Sequence, residues 1–283
     1  MQAVGVGPCL RGRCCAKRHA CVALALCTAV LLQRGAKNQQ SGTVAKVSTN
    51  DIDEASGPII QLSRVRKSYG DNDALRDVSF GIMRGELAFL VGPSGAGKST
   101  VLKLLTRELI ADEGQVVVAG RELSSMGVRH IPQLRRAIAY VPQDYPLLPG
   151  RNLEENVKFA LSVLGWPRAR AGERCDEVLE LVGLSDKRGS NAEELSGGAR
   201  QRAAIARAVA CAPKILLADE PTGALDSGTT DSVMGLLKDI NNEGMTVFVI
   251  THEQEVAEQT KRIVQLKDGV IINDFLTKEI KKA

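Results

Sequence analysis

The chain has 283 residues, 44% hydrophobic and 25% charged, an ordinary globular composition. Its net charge of +4 is unevenly placed. Residues 1–50 hold seven basic residues (Arg11, Arg13, Lys17, Arg18, Arg34, Lys37, Lys46) and no acid, leaving 30 basic against 33 acidic residues beyond them. The body is slightly acidic, so no nucleic-acid partner is expected.

The first 50 residues also hold five of the seven cysteines (Cys9, Cys14, Cys15, Cys21, Cys27). Only Cys175 and Cys211 remain, and no Cys-x2-Cys pair occurs, which argues against a zinc site and suits a reducing compartment. The apolar stretch 20–32 is 13 residues long, short of the ~20 needed to span a bilayer. Basic residues precede it as in a secretory signal, but the basic region is long and no clean small-x-small cleavage site follows. An acid-free, Arg-containing leader predicts an organelle transit peptide over 1–50, plastid first and mitochondrion as the alternative. Residues 38–58, with Gln, Ser, Asn and Gly, read as disordered, so 51–58 becomes a linker to a domain over 59–283.

Strands are predicted at 59–66 and 75–82, flanking the turn Tyr69-Gly70-Asp71-Asn72. The apolar run 87–91 leads into Gly92-Pro93-Ser94-Gly95-Ala96-Gly97-Lys98-Ser99-Thr100, a complete Gly-x4-Gly-Lys-Ser phosphate loop, and 101–105 reads as helix. Such a loop suits a triphosphate. Gly92, Gly95 and Gly97 let backbone N–H groups converge, and the helix start adds unpaired donors and the positive dipole end. Lys98 supplies charge for the β- and γ-phosphates, and the Ser99 hydroxyl is placed for Mg²⁺.

A strand follows at 115–118, a short helix at 131–136 and a strand at 137–141. Helical spacing then runs over 152–164 and 173–182, so 144–194 reads as an inserted helical subdomain. A helix at 198–211 stops before Pro213. Next come strand 215–218, helix 227–242, strand 246–250, a short helix from 253, and strands 263–266 and 270–272 around the turn Lys267-Asp268-Gly269. Apolar strands alternating with helices predict an α/β protein with a mostly parallel sheet. The strand at 215–218 ends in Asp219-Glu220. Ligands sit at such strand ends: Asp219 can hold Mg²⁺ through water, and Glu220 can take a proton from an attacking water.

Leu195-Ser196-Gly197-Gly198-Ala199-Arg200-Gln201-Arg202 resembles the signature of the ATP-binding-cassette (ABC) ATPases. With the loop at 92–100 and Asp219-Glu220 it stands in that family's order, over roughly 58–275. The resemblance implies the ABC type of P-loop fold: a mostly parallel core sheet, an antiparallel β-subdomain and the helical insert. It implies that Tyr69 stacks on adenine, that Gln143 in Val141-Pro142-Gln143-Asp144 reaches Mg²⁺ and the water, and that His252 meets the γ-phosphate. Ser196, Gly197, Gly198 and Asp226, the last in Ala224-Leu225-Asp226, would act across an ATP-dependent homodimer. Catalysis then falls to Glu220, His252, Gln143 and Lys98, and metal binding to Ser99, Gln143 and Asp219. Within the family, 85–100 and Ile131-Pro132-Gln133-Leu134-Arg135-Arg136 are most similar to the cell-division ATPase FtsE; 219–227 and 267–269 are equally similar to LolD and MacB. Ala199 departs from a position usually Glu or Gln there. The implied function is ATP hydrolysis for a separately encoded membrane permease of FtsX, LolC or MacB type, with the chain peripheral to the membrane. A soluble iron–sulfur-assembly ATPase is the alternative.

Overall fold

Leu87-Ala88-Phe89-Leu90-Val91 is apolar at every position, which suits a strand covered on both faces. The computed structural model describes residues 57–144, 146–223, 225–253, 257 and 260–276. The predicted leader, nearly all of the linker and most of the short helix predicted from 253 lie outside the described residues.

In chain order the elements are β1 (Ile60–Tyr69), β2 (Asn72–Ile82), β3 (Leu87–Val91), α1 (Lys98–Leu105), β4 (Glu113–Val118), β5 (Arg121–Glu122), α2 (Ile131–Ala137), β6 (Ile138–Val141), α3 (Leu153–Val163) and α4 (Arg168–Leu181). Then follow α5 (Gly197–Val209), β7 (Ile215–Asp219), α6 (Ser227–Asn242), β8 (Thr246–Thr251), β9 (Arg262–Lys267) and β10 (Val270–Leu276). One sheet has the order β2-β1-β4-β5 and is antiparallel. The other runs β10-β9-β3-β8-β7-β6, parallel except for the closing β9–β10 hairpin. Both sheets of the expected architecture are therefore present.

Alternate residues of the parallel strands serve two cores. Phe89, Leu216, Ala218 and Val249 pack with Ala203 and Val233, from α5 and α6, and with Val157 and Val178, from α3 and α4. Leu90, Leu217, Phe248 and Ile250 pack with Val101 and Leu105 of α1 and with Leu62, Val78 and Phe80 of the antiparallel sheet. The Phe80 and Phe248 rings, 5.8 Å apart, join the two sheets. Each large side chain buried this way contributes roughly 1.5–3 kcal/mol, so the sheet is a rigid base for whatever its strand ends carry.

Several elements run beyond expectation, among them β2, which starts at Asn72, and β10, which reaches Leu276, and β5 is additional; two departures have a clear cause. β1 continues to Tyr69 through the polar Arg66-Lys67-Ser68, because pairing with β2 and an ion pair from Lys67 to Asp112 (2.6 Å) satisfy that segment; it is bulged, with Arg64 at φ 49°. α4 starts at Arg168, five residues ahead of the predicted start, because Pro167 (φ −59°) presets the first turn. Its polar opening, Arg168-Ala169-Arg170, hides the helical period.

Among the described residues 144–194 contain helices and no strand. Asn152 caps α3 reciprocally with Glu155. Arg188 donates to both oxygens of Glu154 and also reaches Asp176, and Lys158 joins the same carboxylate. The bonds from Arg188, and then Lys158, pull the Glu154 pKa down from its ordinary 4.5 to about 2. A depressed folded-state pKa gives stability that is present above the unfolded value and lost as pH falls through the folded one. Glu154→Gln is therefore expected to flatten acid unfolding between about pH 5 and pH 2, read by circular dichroism; an unchanged profile would remove this carboxylate from the account. No helix among the described residues is long and apolar enough to cross a membrane.

Candidate functional site

β3 delivers the chain to the glycine loop at the C-terminal edge of the parallel sheet. Gly92 is required there by close approach: a Cβ would stand 2.1 Å from the Leu266 carbonyl oxygen. Gly97 has φ 107° and would set a Cβ 2.6 Å from the Ala74 carbonyl oxygen. The loop is laced to both hairpins, since the Gly269 N–H donates to Ala96 (3.1 Å) and the Arg76 N–H to Gly269 (2.7 Å). α1 then opens at Lys98, as expected.

The Lys98 ammonium donates to the carbonyls of Gly92 (2.6 Å) and Pro93 (3.1 Å). Burial pushes its pKa below the ordinary value, and the charges of Glu220 and Asp219 oppose that shift. A buried cation held only by neutral carbonyls is a strong site for an anion.

A cleft of about 450 Å³ opens over the loop. Ser94, Gly95, Gly97, Lys98, Ser99 and Thr100 line one side, and Gln143, Asp219 and Glu220 enter from the strand ends. Glu220 is the hub. Its N–H donates to Ile250 (2.7 Å), which carries the β7–β8 pairing one residue further and sets it beside His252. Its carboxylate accepts from Gln143 Nε2 (2.9 Å) through Oε2 and lies 3.0 Å from His252 Nδ1 through Oε1. Its backbone is left-handed (φ 46°), uncommon for a residue other than glycine and a mark of constrained functional positions.

Some participants escaped the sequence reading. The Tyr140 hydroxyl donates to Asp219 Oδ2 (3.2 Å), and burial, then the Asp219 charge, pushes its pKa up. A lone phenol in an otherwise apolar strand was the available signal. Asn72, Asp73, Arg76 and Asp268 also line the cleft; Asn72 and Asp268 stand in predicted turns, which gave them no role at the site.

Tyr69, paired with Asn72 across the first hairpin, is half exposed at 47%. Ser196, Gly197, Gly198 and Asp226 do not line the cleft. They gather instead where two helices begin. The Ser196 hydroxyl accepts from the Ala199 N–H (3.3 Å) to cap α5, and Asp226 accepts from the Thr229 N–H (2.9 Å) to cap α6. Ala199 is buried in the core, so a small apolar side chain suits this fold.

A glycine loop between a parallel strand and a helix, a buried lysine and carboxylates at the end of β7, two strands along the same sheet, define a P-loop nucleotide hydrolase. The family model for ABC transporters matches residues 75–223. The chain is 43% identical over 218 residues to the cell division ATP-binding protein FtsE of Streptococcus pneumoniae serotype 2, covering 76% of this chain and 95% of that one. It is 40% identical over 221 residues to the methionine import ATP-binding protein MetN of Brucella abortus (strain 2308), covering 77% of this chain and 60% of that longer protein. Among solved structures, a dimeric post-hydrolysis state of the ATP-binding cassette MJ0796 bound to ADP and Pi superposes with a TM-score of 0.69 at 35% identity, over 77% of this chain and 98% of that one. The chain belongs to the ABC transporter family. It is an ATP-binding, ATP-hydrolysing subunit of an ABC-type membrane complex, and these relatives do not favour the iron–sulfur-assembly alternative.

Proposed function

We propose that two copies of this chain close on two ATP molecules and that their hydrolysis drives a polytopic partner of FtsX, LolC or MacB type at a plastid membrane, on the stromal side. The observation that carries the catalytic part is the Glu220 carboxylate, held between Gln143 and His252 beside the phosphate loop. In this reading the loop N–H groups and Lys98 bind the β- and γ-phosphates, and Tyr69 stacks on adenine. Glu220 accepts a proton from the in-line water, a contribution of about 10²–10⁴-fold for such a base. His252 stabilises charge on the departing phosphoryl group. Ser196, Gly197, Gly198 and Asp226 of the second copy complete the site. The dimeric MJ0796 cassette supports this arrangement.

Ser99, Gln143 and Asp219 suit Mg²⁺, because all three line the cleft with hard oxygen donors and Tyr140 orients Asp219. Among the described residues no group of three His, Cys, Asp or Glu side chains could hold a metal ion by itself. Bound there, Mg²⁺ would neutralise charge between the β- and γ-phosphates.

The acid-free leader supports the plastid, and the FtsE relatives support an FtsX-type partner. Tagged full-length chain, expressed in its own cells, is expected to fractionate with plastid membranes and bring down a polytopic subunit. Recovery from the cytosol, or from membranes without a polytopic companion, would overturn this assignment.

A further inference from the structure

The residues assigned to the second nucleotide come from two helix starts, and one side chain connects them. A Cβ on Gly198 would lie 2.2 Å from Thr229 Cγ2, far inside van der Waals contact. Thr229 is the fourth residue past the chain's turn at Leu225, on the first turn of α6. Threonine in a helix has two accessible χ1 wells, so its methyl could swing away. It is held, because Thr229 Oγ1 donates to Asp226 Oδ2 (2.8 Å) while Asp226 Oδ1 accepts from the Thr229 N–H (2.9 Å). Moving the methyl off Gly198 requires breaking the hydroxyl bond to Asp226. Leu225 adds a second contact, 3.8 Å from where a Cβ of Gly197 would stand.

We propose that Thr229 is a positioning residue of the composite site: its γ-methyl fixes where Gly198 stands, and its hydroxyl ties that position to Asp226. This rests on the dimer reading above and adds what sets the geometry of its trans-acting half. Gly198 is glycine here because of a neighbour in its own chain. The Ser196–Gly198 turn and the Asp226 cap then shift together, so displacement of one by the second copy is passed to the other.

The test is a steric cycle in the full-length chain carrying Glu220→Gln, with ATP-driven dimerisation read by light scattering and Tm read without nucleotide. Gly198→Ala is expected to weaken dimerisation about tenfold or more and to lower Tm by about 3–8 °C, as overpacking does in a domain of this size. Alanine is otherwise the better helix former, so a loss of Tm points to the clash. Adding Thr229→Ser removes Cγ2 and keeps the hydroxyl. It is expected to restore dimerisation to within about threefold and Tm to within about 2 °C. Adding Thr229→Val instead keeps both γ-branches and should rescue neither. If Gly198→Ala with Thr229→Ser is as impaired as Gly198→Ala alone, the proposal is wrong. If the Glu220→Gln parent fails to dimerise with ATP, the dimer reading falls, and with it the trans-site role of Thr229, whatever the Tm cycle says about the contact.

Discussion

Glu220→Gln is expected to lower ATP turnover by about 10²–10⁴-fold, the usual worth of a positioned general base, while ATP affinity stays within about threefold. The reason lies in the geometry. The amide has the shape of the carboxylate, so its oxygen still accepts from Gln143 and its NH2 faces His252 Nδ1, an acceptor in one tautomer. What disappears is the basic lone pair that takes the proton from water. An interaction needed only in the transition state affects kcat and spares binding. Because two copies close on ATP in the proposed reading and the variant does not consume it, the variant should also accumulate with ATP as a species of twice the chain mass. Steady-state phosphate release with Mg²⁺ and with excess chelator, calorimetric ATP titration and light scattering together measure all three. Undiminished turnover would strip Glu220 of its assigned role, and turnover of the wild type in chelator would strip the site of its metal.

The second large effect has opposite signs in two assays. Lys98→Met removes a cation that burial destabilises, whose hydrogen bonds go to two neutral carbonyls and whose attraction to Glu220 and Asp219 offsets that burial only in part. Unfolding of the nucleotide-free variant should therefore occur at the same temperature as the wild type or higher, because a desolvated charge is replaced by an apolar chain of similar length. ATP binding should move the other way. A charge-assisted hydrogen bond contributes about 1.5–3 kcal/mol, so the dissociation constant should rise at least roughly tenfold and up to about a hundredfold. Calorimetric titration and a thermal melt test the pair. A variant that loses both stability and binding would show Lys98 to be a structural strut.

The parallel sheet could be read from sequence because its strands are apolar throughout and alternate with helices of clear period; segment 227–242 coincides with α6. The strand-end residues were readable for the same reason, since Asp219 and Glu220 interrupt an apolar run. Tyr140 was not, because its role depends on the β6–β7 pairing that brings it beside Asp219, a relation between residues 79 apart. The same holds for Arg76 and Asp268: the turn that carries Asp268 is legible, but hairpin packing is what brings both residues to the cleft. The start of α4 was obscured by its polar first turn. Gly198 was recognised by its motif, but the physical demand for glycine at that point lies in Thr229, on a different helix.

The lacing of the phosphate loop has a practical meaning for protein engineering. Leu266 and Gly269 belong to the last described segment of the chain, yet the first limits the space at Gly92 and the second bonds Ala96. The nine residues at 92–100 are thus not a portable module. A transplant into another parallel sheet would need the 266–269 turn carried along with it. A shortened form ending before residue 266 would keep every nucleotide-binding motif in its text and lose the wall that shapes the first of them.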